Sequence, residues 1–273
     1  KMFQFSSDTA MGNIGEKELG KDMYQFFIED ENAAEDFVTI EGSDVNHIKN
    51  VLRMKPGEKI RVCTRNGQNY FCSISDITES FVRADILEKE AESTELPCRI
   101  YLFQGLPKND KMEWIIQKTV ELGVYEVIPV AMKNCVVKLD DKKAKSKVTR
   151  WQAIAESAAK QSKRSLIPEV KMPMSYKEAV AYAKKLDVKL VPYENEHGMA
   201  GTKAAMEQIK KGESIAVFIG PEGGFAPEEI EMVRDEMQLI SLGRRILRTE
   251  TAGIAALAIL GYQLESQTDG REA

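Results

Sequence analysis

The sequence predicts an α/β protein in two parts: a small β-barrel-like module, then a parallel sheet with helices on both faces. Three observations carry this. The chain has 273 residues, a length that suggests two domains more readily than one core. Up to about Leu87, apolar residues come in short runs separated by turn residues. Beyond Pro97, strand-like runs alternate with helix-like ones, the pattern of βαβ units.

In the first part, "YQFFIE", "FVTIEG", "EKIRVCTRNGQNYFCSISDIT" and "FVRADILEKE" read as strands. Asn66-Gly67 predicts a hairpin with a type I′ turn, because this dipeptide supplies positive φ angles. "SDVNHIKNVLRMKPG" predicts one short helix, capped by Ser43 or Asp44 and ended by Pro56-Gly57. Residues 88–96, "EKEAESTEL", are charged and aperiodic, and Pro97 follows; the domain boundary is expected there.

In the second part, "RIYLFQG" is a strand, and Asn109 or Asp110 caps a helix running to Gly123. Met112, Ile115, Ile116, Thr119 and Val120 share its inner face. "YEVIPVAM" is the next strand, and "SKVTRWQAIAESAAKQSKRS" a helix whose buried side is mostly alanine. "YKEAVAYAKKL" is another helix. "VKLVPYEN", "SIAVFIG" and "LISLG" are short strands, a helix starts at Pro227, and "ETAGIAALAILGYQLE" closes the chain.

Composition excludes several classes. No run approaches the roughly 18 apolar residues of a membrane span. Cys63, Cys72, Cys98 and Cys135 are scattered without a CxxC pair, and only His47 and His197 could assist them. Neither a zinc cluster nor a disulfide framework is expected, which predicts a reducing, cytoplasmic setting with no metal. Residues 1–22 are polar and lack an apolar signal core; they read as a leader or a remnant outside the fold. The net charge of −5 argues against indiscriminate coating of nucleic acid. Yet from Lys108 to Arg164 thirteen Lys and Arg stand against seven Asp and Glu, the footprint expected for a polyanion or equally for a solvated helical face.

In an open α/β sheet, ligands bind beyond the carboxyl ends of the strands. Three such ends carry unusual loops: "PYENEHG", "GPEGGF" and "GRRILRTETAG". Their glycines let main-chain groups approach a ligand, and a helix N-terminus follows each of the last two. GxGxxG, GxxxxGK[ST] and GxSxG are all absent. A ligand held by its phosphates is therefore not expected, which disfavours NAD and ATP.

With these loops the sequence resembles the ribosomal RNA small subunit methyltransferase E family, of the knotted SPOUT class. The similarity runs collinearly from Met23 to about Leu264. It rests on "HIKNVLRMKPGE", "KMEWIIQKTVELGV", "RWQAIAESAAKQSKR", "IGPEGGF" and "LGRRILRTETA", in that order. The resemblance implies a PUA-like RNA-binding β-barrel over residues 23–92 and a SPOUT α/β methyltransferase domain over 97–273, with a deep C-terminal trefoil knot. The strand and helix pattern by itself proposes no knot. Also implied are a homodimer through the knotted domain and S-adenosylmethionine as cofactor. The implied reaction is methylation of N3 of one uridine in 16S rRNA, the family's uridine 1498 near the decoding site. The substrate is 16S rRNA or the small ribosomal subunit. Two other readings remain: an rRNA-binding assembly factor without catalysis, and a methyltransferase of the same class acting on another RNA.

By the same resemblance the three loops bind the cofactor. The first supplies Pro192 and Glu194; the second Ile219, Gly220, Glu222 and Gly223; the third Leu242, Gly243, Ile246, Leu247, Arg248, Thr251 and Ala252. Arg248 is the expected stabiliser of charge on the uracil carbonyls, and Glu222 or Glu250 the expected aid to proton removal. An acidic residue such as Glu250 in a first helical turn is also favoured by the helix dipole. Arg53 in the barrel, with Lys111, Lys118, Arg150, Lys160, Gln161 and Arg164, are expected RNA contacts. Trp151 reads as packing. The small faces of "AIAESAAKQ" and "ETAGIAALAILGY" suit a dimer interface or the monomer core.

Overall fold

The structure, a computed structural model, describes residues 23–90, 93–196 and 198–269. The expectations for 1–22 and for residues 91 and 92 at the boundary lie outside the described residues, as does His197. The chain forms two compact units. One is the chain up to Cys63 with Asn69–Glu90; the other is Thr64–Gln68 with the chain beyond Glu90.

The first unit is a five-stranded sheet in the order β1-β3-β4-β5-β2, with β1 Gln25–Ile28, β2 Phe37–Glu41, β3 Lys59–Thr64, β4 Asn69–Ile77 and β5 Phe81–Glu90. β4 pairs antiparallel with both β3 and β5, and β2 pairs antiparallel with β5. Register shifts at Phe71/Cys72 and Ile74/Asp76 mark bulges, which bend a strand and raise its twist. The sheet curls into a half-barrel around Phe26, Val38, Ile40, Ile60, Val62, Ile74 and Val82. Alternation explains which residues face inward: in β3, Ile60 and Val62 are buried while Lys59 is exposed.

Two local expectations are corrected here. At Asn66-Gly67 only Gly67 takes positive φ, at 86°, so the turn is not type I′. Gly67 N–H donates to Thr64 C=O, and Thr64 N–H to Gln68 C=O, which encloses a three-residue loop with glycine at its left-handed position. The helix after β2 is a single α-turn, α1 Ser43–Asn46, running into a π-turn at His47–Val51. Gly42, not Ser43 or Asp44, occupies the N-cap, and no side chain caps it. Arg53 ends it by adopting φ 55°, ahead of Pro56.

The second unit is a parallel sheet in the order β12-β10-β11-β6-β7-β8, with β9 also on β7. Its strands are β6 Arg99–Gly105, β7 Val124–Ala131, β8 Glu169–Val170, β9 Met174–Ser175, β10 Val188–Pro192, β11 Ser214–Ile219 and β12 Gln238–Ile240. The helices are α2 Lys111–Glu121, α3 Asp141–Gln161, α4 Tyr176–Ala183, α5 Ala200–Glu207, α6 Pro227–Val233 and α7 Thr249–Asp269. Strands alternate their faces. Tyr101, Phe103 and Phe218 join Tyr176 and Val180 of α4 and Ile230 of α6 in one core. The Phe103 and Phe218 rings stack at 4.4 Å. On the other face α7 packs on β6 and β11, and α2 on α7 and α3.

α2 buries the five residues predicted for its inner face. α3 starts earlier than its apolar pattern: Asp140 accepts from Lys143 N–H at 2.8 Å and caps a charged first turn. Ala155, Ala158 and Ala159 are buried within the chain with Trp151, so this alanine face lines the monomer core. α5, β8 and β9 have no counterpart in the sequence reading.

Candidate active site

β10, β11 and β12 are neighbours, so the loops leaving their carboxyl ends converge. They enclose a cavity of about 540 Å³ lined by Pro192, Glu194, Ile219–Phe225, Ile246–Thr249 and Ala252, with Lys111 reaching in from α2. This size is ordinary for a small-molecule site.

The glycine-rich loop is held from several sides. Thr249 Oγ1 donates to Gly220 C=O at 2.7 Å and accepts from Gln104 Nε2 at 2.9 Å. Asn134 Nδ2 donates to Gly223 C=O at 3.1 Å and lies 3.2 Å from Gly224 C=O. Lys108 N–H donates to Glu222 Oε1 at 3.0 Å. Beneath the loop, a Cβ on Gly105 would sit 2.7 Å from Pro221 N and 3.0 Å from Gly220 C, so only glycine lets β6 approach. Gly224 has φ 67°, and its missing Cβ leaves room for the Glu194 carboxylate, 3.0 Å from where that carbon would be. Ala226 N–H and Lys133 N–H each donate to the buried Glu229 at 2.8 Å, fixing the start of α6.

Electrostatically the cavity combines cations and carboxylates. Lys111 Nζ lies 3.1 Å from Glu222 and 3.2 Å from Glu250. Its hydrogen bond to Glu222 raises the Lys111 pKa against partial desolvation. Burial opposes ionisation of Glu222, but the Lys108 and Glu222 backbone N–H groups and Lys111 outweigh it and hold this carboxyl below its ordinary value. Glu222 is therefore an anchored anion rather than a ready proton acceptor. Glu250 Oε2 is buried without an aligned hydrogen bond. Arg248 also lines the cavity.

Of the residues expected to hold a cofactor, Pro192, Glu194, Ile219, Gly220, Glu222, Gly223, Ile246, Leu247, Arg248 and Ala252 line this cavity. Leu242, Gly243 and Thr251 do not, and Thr251 faces outward as an exposed residue. Sequence reasoning missed Phe225 on the wall and Asn134 and Gln104 behind it. Gln104 had a legible signal, an amide at the end of an apolar strand.

The expected RNA contacts divide. Lys111 belongs to the cavity. Lys118 pairs with Glu121 at 2.8 Å and lies 5.1 Å over the exposed Trp114 ring. Arg150 pairs with Glu113 at 2.7 Å and Lys160 with Glu156 at 2.9 Å, leaving both beside solvent. Gln161 is exposed, as is Arg53 in the first unit. Arg164 is a correction: it is 3% exposed. It pairs with Glu95 and donates to the Val120 and Val124 carbonyls at 3.1 and 2.6 Å. An arginine committed in this way is a structural tie, not a phosphate contact.

Family models agree with this geometry. Residues 94–261 match an RNA methyltransferase domain and residues 40–87 an RNA methyltransferase PUA domain. The ribosomal RNA small subunit methyltransferase E of Bacillus subtilis is 39% identical over 231 residues, 83% of this chain and 90% of that protein.

This chain belongs to the ribosomal RNA small subunit methyltransferase E family.

Solved structures of relatives extend the likeness. The family's enzyme from Neisseria gonorrhoeae, bound to S-adenosylmethionine, superposes with a TM-score of 0.75 at 32% identity, covering 88% of this chain and 97% of that one. A putative methyltransferase from Legionella pneumophila, also with S-adenosylmethionine, gives 0.76 at 30% identity with the same coverage. Among the described residues no helix is long and apolar enough to cross a membrane, and no group of three or more His, Cys, Asp or Glu is placed to hold a metal.

Proposed function

We propose that this chain methylates N3 of a uridine in 16S rRNA, the family's uridine 1498, using S-adenosylmethionine in the cytoplasm. The observation that carries the reading is the cavity at the ends of β10, β11 and β12, in a family whose relatives are solved with that cofactor. The donor set suits it: bared backbone and the apolar Pro192, Ile219, Leu247 and Phe225 for adenine, with carboxylates Glu194 and Glu222 for hydroxyls and positive charge. Leu242 and Gly243, half-buried in the third loop, join the proposed set as supports behind the cavity wall, whereas the exposed Thr251 does not. When bound, S-adenosylmethionine supplies an electrophilic methyl carbon whose leaving group is a neutral thioether.

The chain's own residues must make N3 a nucleophile, since that nitrogen carries a proton. Arg248 stabilises the negative charge that collects on O2 and O4 as the proton leaves. Glu250 is the better-placed proton acceptor, because Glu222 is fixed by two backbone N–H groups and Lys111. Lys118, Arg150, Lys160 and Gln161 are the proposed RNA contacts of the second unit, and Arg53 is that of the first.

The domain assignment follows the same reading: a PUA-like module over 23–92 and a knotted SPOUT domain over 97–273. The sheet order supports the knot, since β12 lies outside β10 while α7 returns to β11 and β6. A homodimer through this domain is supported by Trp114 on α2 and Tyr262 on α7, which are 53% and 75% exposed on helices that pack together.

The test is transfer of labelled methyl from S-adenosylmethionine to 16S rRNA. Wild type should label it, and Arg248→Ala should lower kcat by about 10²–10³-fold. An RNA that binds while calorimetry detects no cofactor binding at millimolar concentration would instead make this a non-catalytic rRNA binder.

A further inference from the structure

Lys111 stands where two walls of the cavity meet. Glu222 belongs to the glycine-rich loop after β11 and Glu250 to the first turn of α7, and the Lys111 ammonium lies 3.1 and 3.2 Å from them. The other charged groups lining the cavity are Arg248, just before α7, and Glu194, after β10. On its own helix Glu113 turns away to Arg150, and the preceding Asp110 lies 3.4 Å from Lys147. One ammonium therefore serves two carboxylates, in direct ion-pair contact with both.

We propose that Lys111 is a positioning residue for methyl transfer: it ties the glycine-rich loop to the start of α7 and holds Glu222 as an anion beside Glu250. This rests on the methyl-transfer reading above. The physical reason is that two nearby carboxylates without a cation do not both ionise readily, so one retains a proton. The depressed titration of Glu222, set against its burial by the Lys108 and Glu222 backbone N–H groups and by Lys111, fits this role. A phosphate-binding lysine needs no such pair of anions; here they occupy the ammonium and oppose a third.

The experiment is a carboxyl-carbon NMR titration of the full-length protein, assigned with Glu222→Gln and Glu250→Gln and run without RNA or cofactor. In Lys111→Met the Glu222 carboxyl should titrate about one pH unit or more higher than in wild type. Lys111→Arg, which restores the charge, should return it most of the way. In methyl-transfer assays the acidic limb of kcat against pH should move upward in Lys111→Met by a similar amount, with KM for rRNA changing less than kcat. An unmoved titration overturns the proposal. So does a Lys111→Met enzyme with raised KM for rRNA but the wild-type pH profile, which would make Lys111 an RNA contact. Wild-type protein that transfers no methyl to rRNA, while its carboxyls respond to Lys111→Met as described, overturns the methyl-transfer reading and leaves the ion-pair geometry standing.

Discussion

The Thr249 hydroxyl donates to the Gly220 carbonyl at 2.7 Å and takes a hydrogen bond from Gln104 at 2.9 Å. One buried side chain thus joins the end of β6, the glycine-rich loop and the start of α7. Thr249→Val keeps the shape but removes the donor to the Gly220 carbonyl and leaves Gln104 Nε2 with only its bond to the Gly105 carbonyl, at 3.1 Å. It should lower stability by about 1–3 kcal/mol in urea denaturation and weaken cofactor binding by calorimetry. Thr249→Ser should preserve both, and a Thr249→Val protein of unchanged stability would show that the link is dispensable.

Gly105 supports the same loop from below. Gly105→Ala places a methyl 2.7 Å from Pro221 N, against backbone that cannot rotate away. The expected result is a loss of about 1–3 kcal/mol, the usual cost of overpacking, with reduced cofactor affinity. Unaltered affinity would mean that the loop shifts freely.

Much of this was legible in the sequence, and the failures have physical causes. Periodicity located the inner face of α2 because burial alone sets it. The three loops stood out because glycine and proline are poor core formers. The π-turn at His47–Val51 was not legible, since an extra residue per turn leaves little mark on composition. Asn66-Gly67 fulfilled the hairpin but not its turn type, because Gly67 alone supplies the positive φ. The start of α3 was hidden by charges that Asp140 caps. Lys111 and Arg164 were both read as basic surface. A lysine facing two carboxylates and an arginine sealing a glutamate look like solvated charge until distant residues are brought together.

Arg164 gives the sharpest test of that correction. Removing it leaves Glu95, which also accepts from Ser165 N–H at 2.9 Å, without its cation, and exposes two carbonyls to an unfilled site. Arg164→Ala should destabilise by about 3–5 kcal/mol, the cost of breaking a buried pair. The protein that remains folded should bind rRNA with near wild-type affinity. A stable Arg164→Ala protein with weakened RNA binding would restore the surface role.

Glu126 is 5% exposed, with the Tyr182 hydroxyl at 2.8 Å and Lys171 at 3.4 Å. Burial raises its pKa, and these two partners oppose the shift without cancelling it. A carboxyl with a raised folded-state value stabilises the fold most below its unfolded value, about 4.3. That contribution is lost as pH rises through the folded value. Glu126→Gln keeps an acceptor for Tyr182, so its Tm should exceed wild type at pH 7, and the gain should vanish toward about pH 4. A Glu126→Gln protein that melts lower at pH 7 would give the Lys171 pair the greater weight.

If Trp114 and Tyr262 face a second copy, Trp114→Glu with Tyr262→Glu should sediment as a folded monomer and lose methyl transfer. A monomeric wild type that methylates at full rate would remove the dimer from the account.

The central claim is methyl transfer to one uridine nitrogen, and mapping the product tests it most directly. 16S rRNA from cells lacking this protein is incubated with the purified chain and labelled S-adenosylmethionine, then digested and analysed by mass spectrometry. The account predicts one methyl group per rRNA, on N3 of a single uridine, formed about 10²–10³-fold more slowly with Arg248→Ala. Label on another base, on another RNA, or on several sites alike would contradict it.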